Sequence, residues 1–103
     1  MLALPLLAAA TAAIGTGDDL LAACTADAGR PACMAMIMGV ANGAMLAAAD
    51  AHQKVLCPRI GIRPGDLAEA VRKYLDAHPE LRSKPAPVLT YRALKEILPC
   101  PQG

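Results

Sequence analysis

The chain of 103 residues has no tryptophan and no phenylalanine, and its two tyrosines are Tyr74 and Tyr91. Single-stranded nucleic acid is held by stacking on aromatic side chains, and duplexes by clustered positive charge. Neither device is present. Ten Lys or Arg stand against nine Asp or Glu, for a net charge of +1, with the two signs interspersed. Nucleic acid and anionic membrane surfaces are therefore not expected as partners. β-branched runs of strand length are missing too, while Ala, Leu and Met abound, which points to an all-α fold. Signatures of catalysis are equally scarce. There is no G-x-x-x-x-G-K-[ST] phosphate loop, no G-x-S-x-G and no C-x-x-C. His52 and His78 are the only histidines. A metal site from Asp50, His52 and His78 would have to converge from separate segments without ligand spacing, and a Cys-His nucleophile would need a free thiolate. The sequence predicts no enzyme, no metal and no cofactor.

What is present begins with "MLALPLLAAATAA", an uncharged run too short for the ~20 residues of a membrane span. It matches the apolar core and small-residue cleavage site of a secretory signal peptide, although no Lys or Arg precedes it. Residues 1–14 are read as a signal-peptide remnant, and residues 15–103 as one small domain. A domain of that size is marginal if its core is its only support. Cys24, Cys33, Cys57 and Cys100 offer more. Their even number and the absence of metal-type spacing predict two disulfides, hence an oxidising compartment, and with such a leader the periplasm.

Four helical patterns follow one another. Gly15, Thr16 and Gly17 are read as a flexible lead-in to a first helix, "DDLLAACTADA", with acids at the end where the helix dipole favours them. A second helix is predicted from about Pro31 to Gln53, with Cys33, Met36, Ile37, Val40, Met45 and Leu46 as its apolar set. Within it, Met34, Met36, Met38 and Met45 are read as core filling, and Gly39 and Gly43 as places where another backbone can approach or that simply cost some helix stability. "CPRIGIRPGDL" is a loop, its helical continuation barred by Pro58 and Pro64. The third helix opens at Pro64 or Asp66, carries Leu67, Val71, Tyr74 and Leu75 on one face, and ends at His78 and Pro79. After "ELRSKPAP" comes a fourth with Val88, Leu89, Tyr91, Leu94, Ile97 and Leu98. Alternating up and down, such helices form a small four-helix bundle. Cys24 and Cys33 then meet at one end and Cys57 and Cys100 at the other, so those pairs are the predicted staples.

The segments "GDDLLAAC", "ACMAMIMGVANG", "CPRIGIRPGDLAEAVRKYLDAHPEL" and "APVLTYRALKEILPC", taken in order with one Cys in each place, resemble the Rap/Tai immunity family. The resemblance implies an all-α, frequently dimeric periplasmic protein that protects a bacterium from peptidoglycan amidase-like effectors delivered by type VI secretion. It also implies that a loop or helix end enters the effector's active-site cleft. The best protrusion for that role is Pro58 to Gly65, where Arg59 and Arg63 flank Ile60, Gly61 and Ile62 and two prolines limit the freedom lost on docking. A second is Glu80 to Lys84, with Arg82 and Lys84. The rival reading is a small periplasmic stress chaperone of the helical acid-protection type, for which two histidines make a thin switch.

Overall fold

The structure, a computed structural model, describes residues 13–101. Helix α1 spans Gly17–Thr25, α2 Arg30–Asp50, α3 Pro64–Ala77 and α4 Ala86–Ile97. Short 3-10 turns at Asp27–Gly29 and Pro79–Leu81 punctuate the chain. Among the described residues there is no strand, only an isolated antiparallel bridge between Thr16 and Pro85. The all-α, four-helix architecture matches expectation, and so do the staples: Cys24 is bonded to Cys33 and Cys57 to Cys100. Most of the expected signal segment lies outside the described residues. Of its last two residues, Ile14 packs partly buried against the core.

Helix ends fall where local chemistry puts them. At α1, Asp19 N–H donates to Thr16 Oγ1 at 3.3 Å, and Thr16 N–H donates back to Asp19 Oδ2 at 3.1 Å. This reciprocal cap satisfies donors that the helix itself cannot. The backbone N–H groups of Thr16 and Gly15 hold the Asp19 carboxyl below the usual carboxylate range. Pro31 and Pro64 occupy the first turns of α2 and α3, where a missing N–H costs nothing. The last turn of α2 closes on His52, whose φ of 57° makes it a non-glycine residue in the left-handed region.

The lead-in expected to be flexible is instead tied down. Gly17 N–H donates to Lys84 O at 3.0 Å, Asp18 N–H to Arg82 O at 2.9 Å, and Ala86 N–H to Gly15 O at 2.9 Å. The free N–H groups at the start of α1 thus find carbonyls in the chain leading into α4. Sequence patterning misses this because the partners are backbone atoms about 65 residues apart. So close an approach requires glycine at position 17: a Cβ there would run into Leu89 Cδ1 and would lie 3.0 Å from the Arg82 Cα and O. Gly17→Ala is expected to destabilise the protein by about 1–3 kcal/mol through overpacking against backbone. The close backbone approach expected at Gly39 and Gly43 is not made within the described residues, since nothing lies within 4 Å of a carbon added at either, and Gly39→Ala should be neutral or stabilising by up to about 1 kcal/mol. Urea unfolding of both variants measures the contrast, and equal midpoints would refute the close approach at Gly17.

Leu20, Ile37, Val71, Leu75, Leu89 and Leu94, each 0–1 % exposed, form the centre of the core. They come from all four helices, and Leu56 and Leu98 close its lower end beside the second disulfide. In α2 the buried positions are Cys33, Ile37, Ala41 and Ala48. Met34, Met36, Met38 and Met45 pack partly buried against this core, as read from the sequence. Leu46, expected inside, is 73 % exposed. The reason is that α2 is apolar all round, so its composition does not mark an inward face, and small Ala41 and Ala48 allow the tighter approach. By length and composition alone α2 could cross a membrane, yet it is packed against each of the other three helices. In α4, Thr90 is fully buried and satisfies its hydroxyl by donating to Ala86 O at 2.8 Å.

Candidate functional site

The connection between α2 and α3 runs from Ala51 to Arg63, and its middle is fixed to the body of the protein. Leu56 is 4 % exposed. Cys57 is bonded to Cys100, and its N–H donates to Leu98 O at 3.0 Å. From that anchor Pro58, Arg59 and Ile60 run outward. Ile62 N–H donates to Arg59 O at 3.3 Å, closing a turn with Ile60 and Gly61 at its tip. Gly61 has φ of 91°, the conformation a type II turn requires at its third residue, and one that a side chain would strain.

This geometry separates two isoleucines that look equivalent in sequence. Ile60 is 106 % exposed, the most exposed large apolar side chain among the described residues. Ile62 turns back and packs partly buried against the core. Arg59 and Arg63 are both exposed on either side of the tip. Arg63 N–H donates to Asp66 Oδ2 at 2.9 Å, which fastens the far end of the loop to α3. That hydrogen bond, ahead of the charge of the Arg63 guanidinium, lowers the Asp66 carboxyl below its ordinary value. The Arg63 guanidinium lies 3.6 Å from the same oxygen with 83 % of its side chain exposed, so it remains largely free to engage another molecule.

Arg82 and Lys84 lie elsewhere. They follow α3 while Arg59 to Arg63 precede it, so a helix of 14 residues, about 21 Å long, lies between the two groups. Arg82 is drawn into the fold, with its Nε 3.3 Å from Asp18 Oδ1 and its Nη1 donating to Leu75 O at 3.4 Å. The Nε is buried and makes no hydrogen bond, so its contact with Asp18 is one of charge alone. Lys84 is exposed. The two sequence-predicted segments therefore do not form one site.

Two hollows border the loop. One, of about 450 Å³, is lined by Arg59 to Ile62 together with Asp66, Ala70 and Ile97. The other, of about 660 Å³, lies between the end of α2 and the chain from His52 to Pro58. The sequence gives Met45, His52, Cys57 and Pro58 separate roles and no pattern that groups them, since they meet only where the end of α2 folds against the chain that follows it. Among the described residues, no three His, Cys, Asp or Glu side chains come together in a way that could hold a metal ion.

Comparison with curated proteins gives no match, and comparison with solved structures gives none. A family model, that of the Rap1a immunity proteins, matches residues 16–100. The matched span takes in the Thr16 cap, both disulfides and the exposed turn between α2 and α3. An all-α scaffold with one cysteine at each of these four places thus has a family to which it can be assigned, and this chain belongs to the Rap1a immunity protein family.

Proposed function

We propose that the protein is exported to the periplasm, where it binds and blocks a cell-wall amidase-like effector delivered by type VI secretion. The observation that carries this reading is the turn at Ile60: a fully exposed apolar side chain between two exposed arginines, on a loop whose ends are both fastened. Such a loop loses little freedom on docking, and arginine is among the residues enriched at the energetic centres of protein interfaces. The role assigned to it is to fill the effector's cleft by stoichiometric binding, with no chemistry of its own. Two disulfides fit an oxidising compartment. The outer face of α2, where Ala35, Gly39, Asn42, Gly43 and Leu46 are exposed and uncharged, is the surface we assign to a homodimer.

The chaperone alternative has less support, since His52 is exposed and the His78 side chain is 36 % exposed. A chaperone switch of this type would need a histidine buried among apolar side chains. Export is the test. In cells whose periplasm receives a cognate amidase effector, the chain fused to a signal peptide should prevent lysis, and the same chain retained in the cytoplasm should not. Equal survival in the two cases, or none in either, would refute the reading.

A further inference from the structure

The hollow of about 660 Å³ beside the loop is not needed to explain how the turn is built. Met45, Ala48, Val55 and Leu56 give it an apolar wall, and His52 and Lys54 are the only ionisable side chains that line it. Its volume is in the range of small-ligand sites, and it stands open to solvent on one side. From Ala51 to Gly65 the chain carries Lys54, Arg59 and Arg63 and no carboxylate. Asp50 closes α2 without joining the wall, and Asp66 is engaged by the Arg63 backbone. Cys57 and Pro58 belong both to this hollow and to the start of the exposed loop, so the concave surface and the protruding turn are continuous.

We propose that this hollow receives an apolar side chain of the effector, flanked in the effector's chain by carboxylates. The assignment rests on the reading of the protein as an immunity protein. Burying such a side chain against Met45, Ala48 and Val55 removes apolar area from water, while the flanking carboxylates meet Lys54 and the arginines of the loop in a partly desolvated setting. Cations strung along the segment, instead of gathered at one point, suit a peptide bearing several carboxylates better than an amphiphile with a single charged head.

The full chain, labelled with 15N, can be titrated with Ac-Asp-Leu-Glu-NH2, Ac-Lys-Leu-Lys-NH2 and decanoate. The acidic peptide should shift the amides of Ala48, Val55 and Leu56, and the basic peptide should bind at least ten times more weakly. Ala49→Trp, at an exposed α2 position on the wall, should abolish the response without changing the melting temperature, and should lower protection against the effector at least tenfold. Equal binding of the two peptides, tighter binding of decanoate, or an unimpaired Ala49→Trp would overturn the proposal. Failure of the immunity reading would look different: the wild-type chain would take up the acidic peptide in the hollow and still protect no cell.

Discussion

Replacing Cys57 and Cys100 together by serine is expected to lower the melting temperature by roughly 15–30 °C. The bond joins residues 43 apart, and restoring that freedom to the unfolded chain costs about 4 kcal/mol in the chain-entropy account. A domain of this size has a net stability of roughly 5–10 kcal/mol, so the loss is a large fraction of the total. The native state suffers as well. Leu56 and Leu98, each 4 % exposed, flank the bond, and the hydrogen bond from Cys57 N–H to Leu98 O depends on the two segments staying together. By the same arithmetic the Cys24–Cys33 bond, with a separation of 9, contributes about 2.5 kcal/mol. Moreover, α1 retains its cap and its backbone pairing with Arg82 and Lys84 when that bond is removed. Thermal melts of the two double variants under oxidising conditions decide the point. A smaller drop for the Cys57 and Cys100 pair than for the Cys24 and Cys33 pair would show that the long staple is not what holds the lower end.

Much of this scaffold is legible in the sequence because its signals are local. Pro31, Pro64, Pro79 and Pro99 bound helices, and the i, i+4 and i+8 spacing of Leu67, Val71 and Leu75 gives α3 its buried face. The pairing of cysteines follows once four helices alternate, since only one pairing joins neighbouring ends. Where reading the sequence fails, the deciding contact is distant or the pattern is flat. The inward face of α2 is hidden by its uniform apolarity, which is why Leu46 is exposed while Ala41 and Ala48 are buried. The role of Gly17 depends on the backbone of Arg82, and the Arg82 guanidinium on Asp18 and Leu75, pairs that no periodicity connects. In the loop, composition identifies Arg59 to Arg63 as a unit. Only the turn reveals that Ile60 faces outward and Ile62 inward.

That difference makes the sharpest functional prediction possible. Arg59→Glu combined with Ile60→Asp should weaken binding of the effector at least 100-fold, a loss of about 2.7 kcal/mol or more, and should abolish protection in the lysis assay. Both side chains are exposed, with Ile60 at 106 %, so the cost to folding should stay within about 0.5 kcal/mol. The direction follows from the surface. Under the proposed docking of this turn, an apolar anchor is replaced by a charge that must be desolvated, and a cation is replaced by an anion that would be repelled by any carboxylate it had met. Two controls make the result specific. Ile62→Asp places a charge in a side chain packed against the core, and should lower stability together with binding. Lys84→Glu alters the exposed cation beyond the far end of α3, and should leave binding unchanged. Arg82 is unsuitable as a control because its guanidinium holds Asp18 and Leu75 together, so its loss would confuse folding with recognition. If the double variant binds as tightly as wild type while Lys84→Glu does not, the effector is met by the chain between α3 and α4, and the turn at Ile60 is a solvated connector.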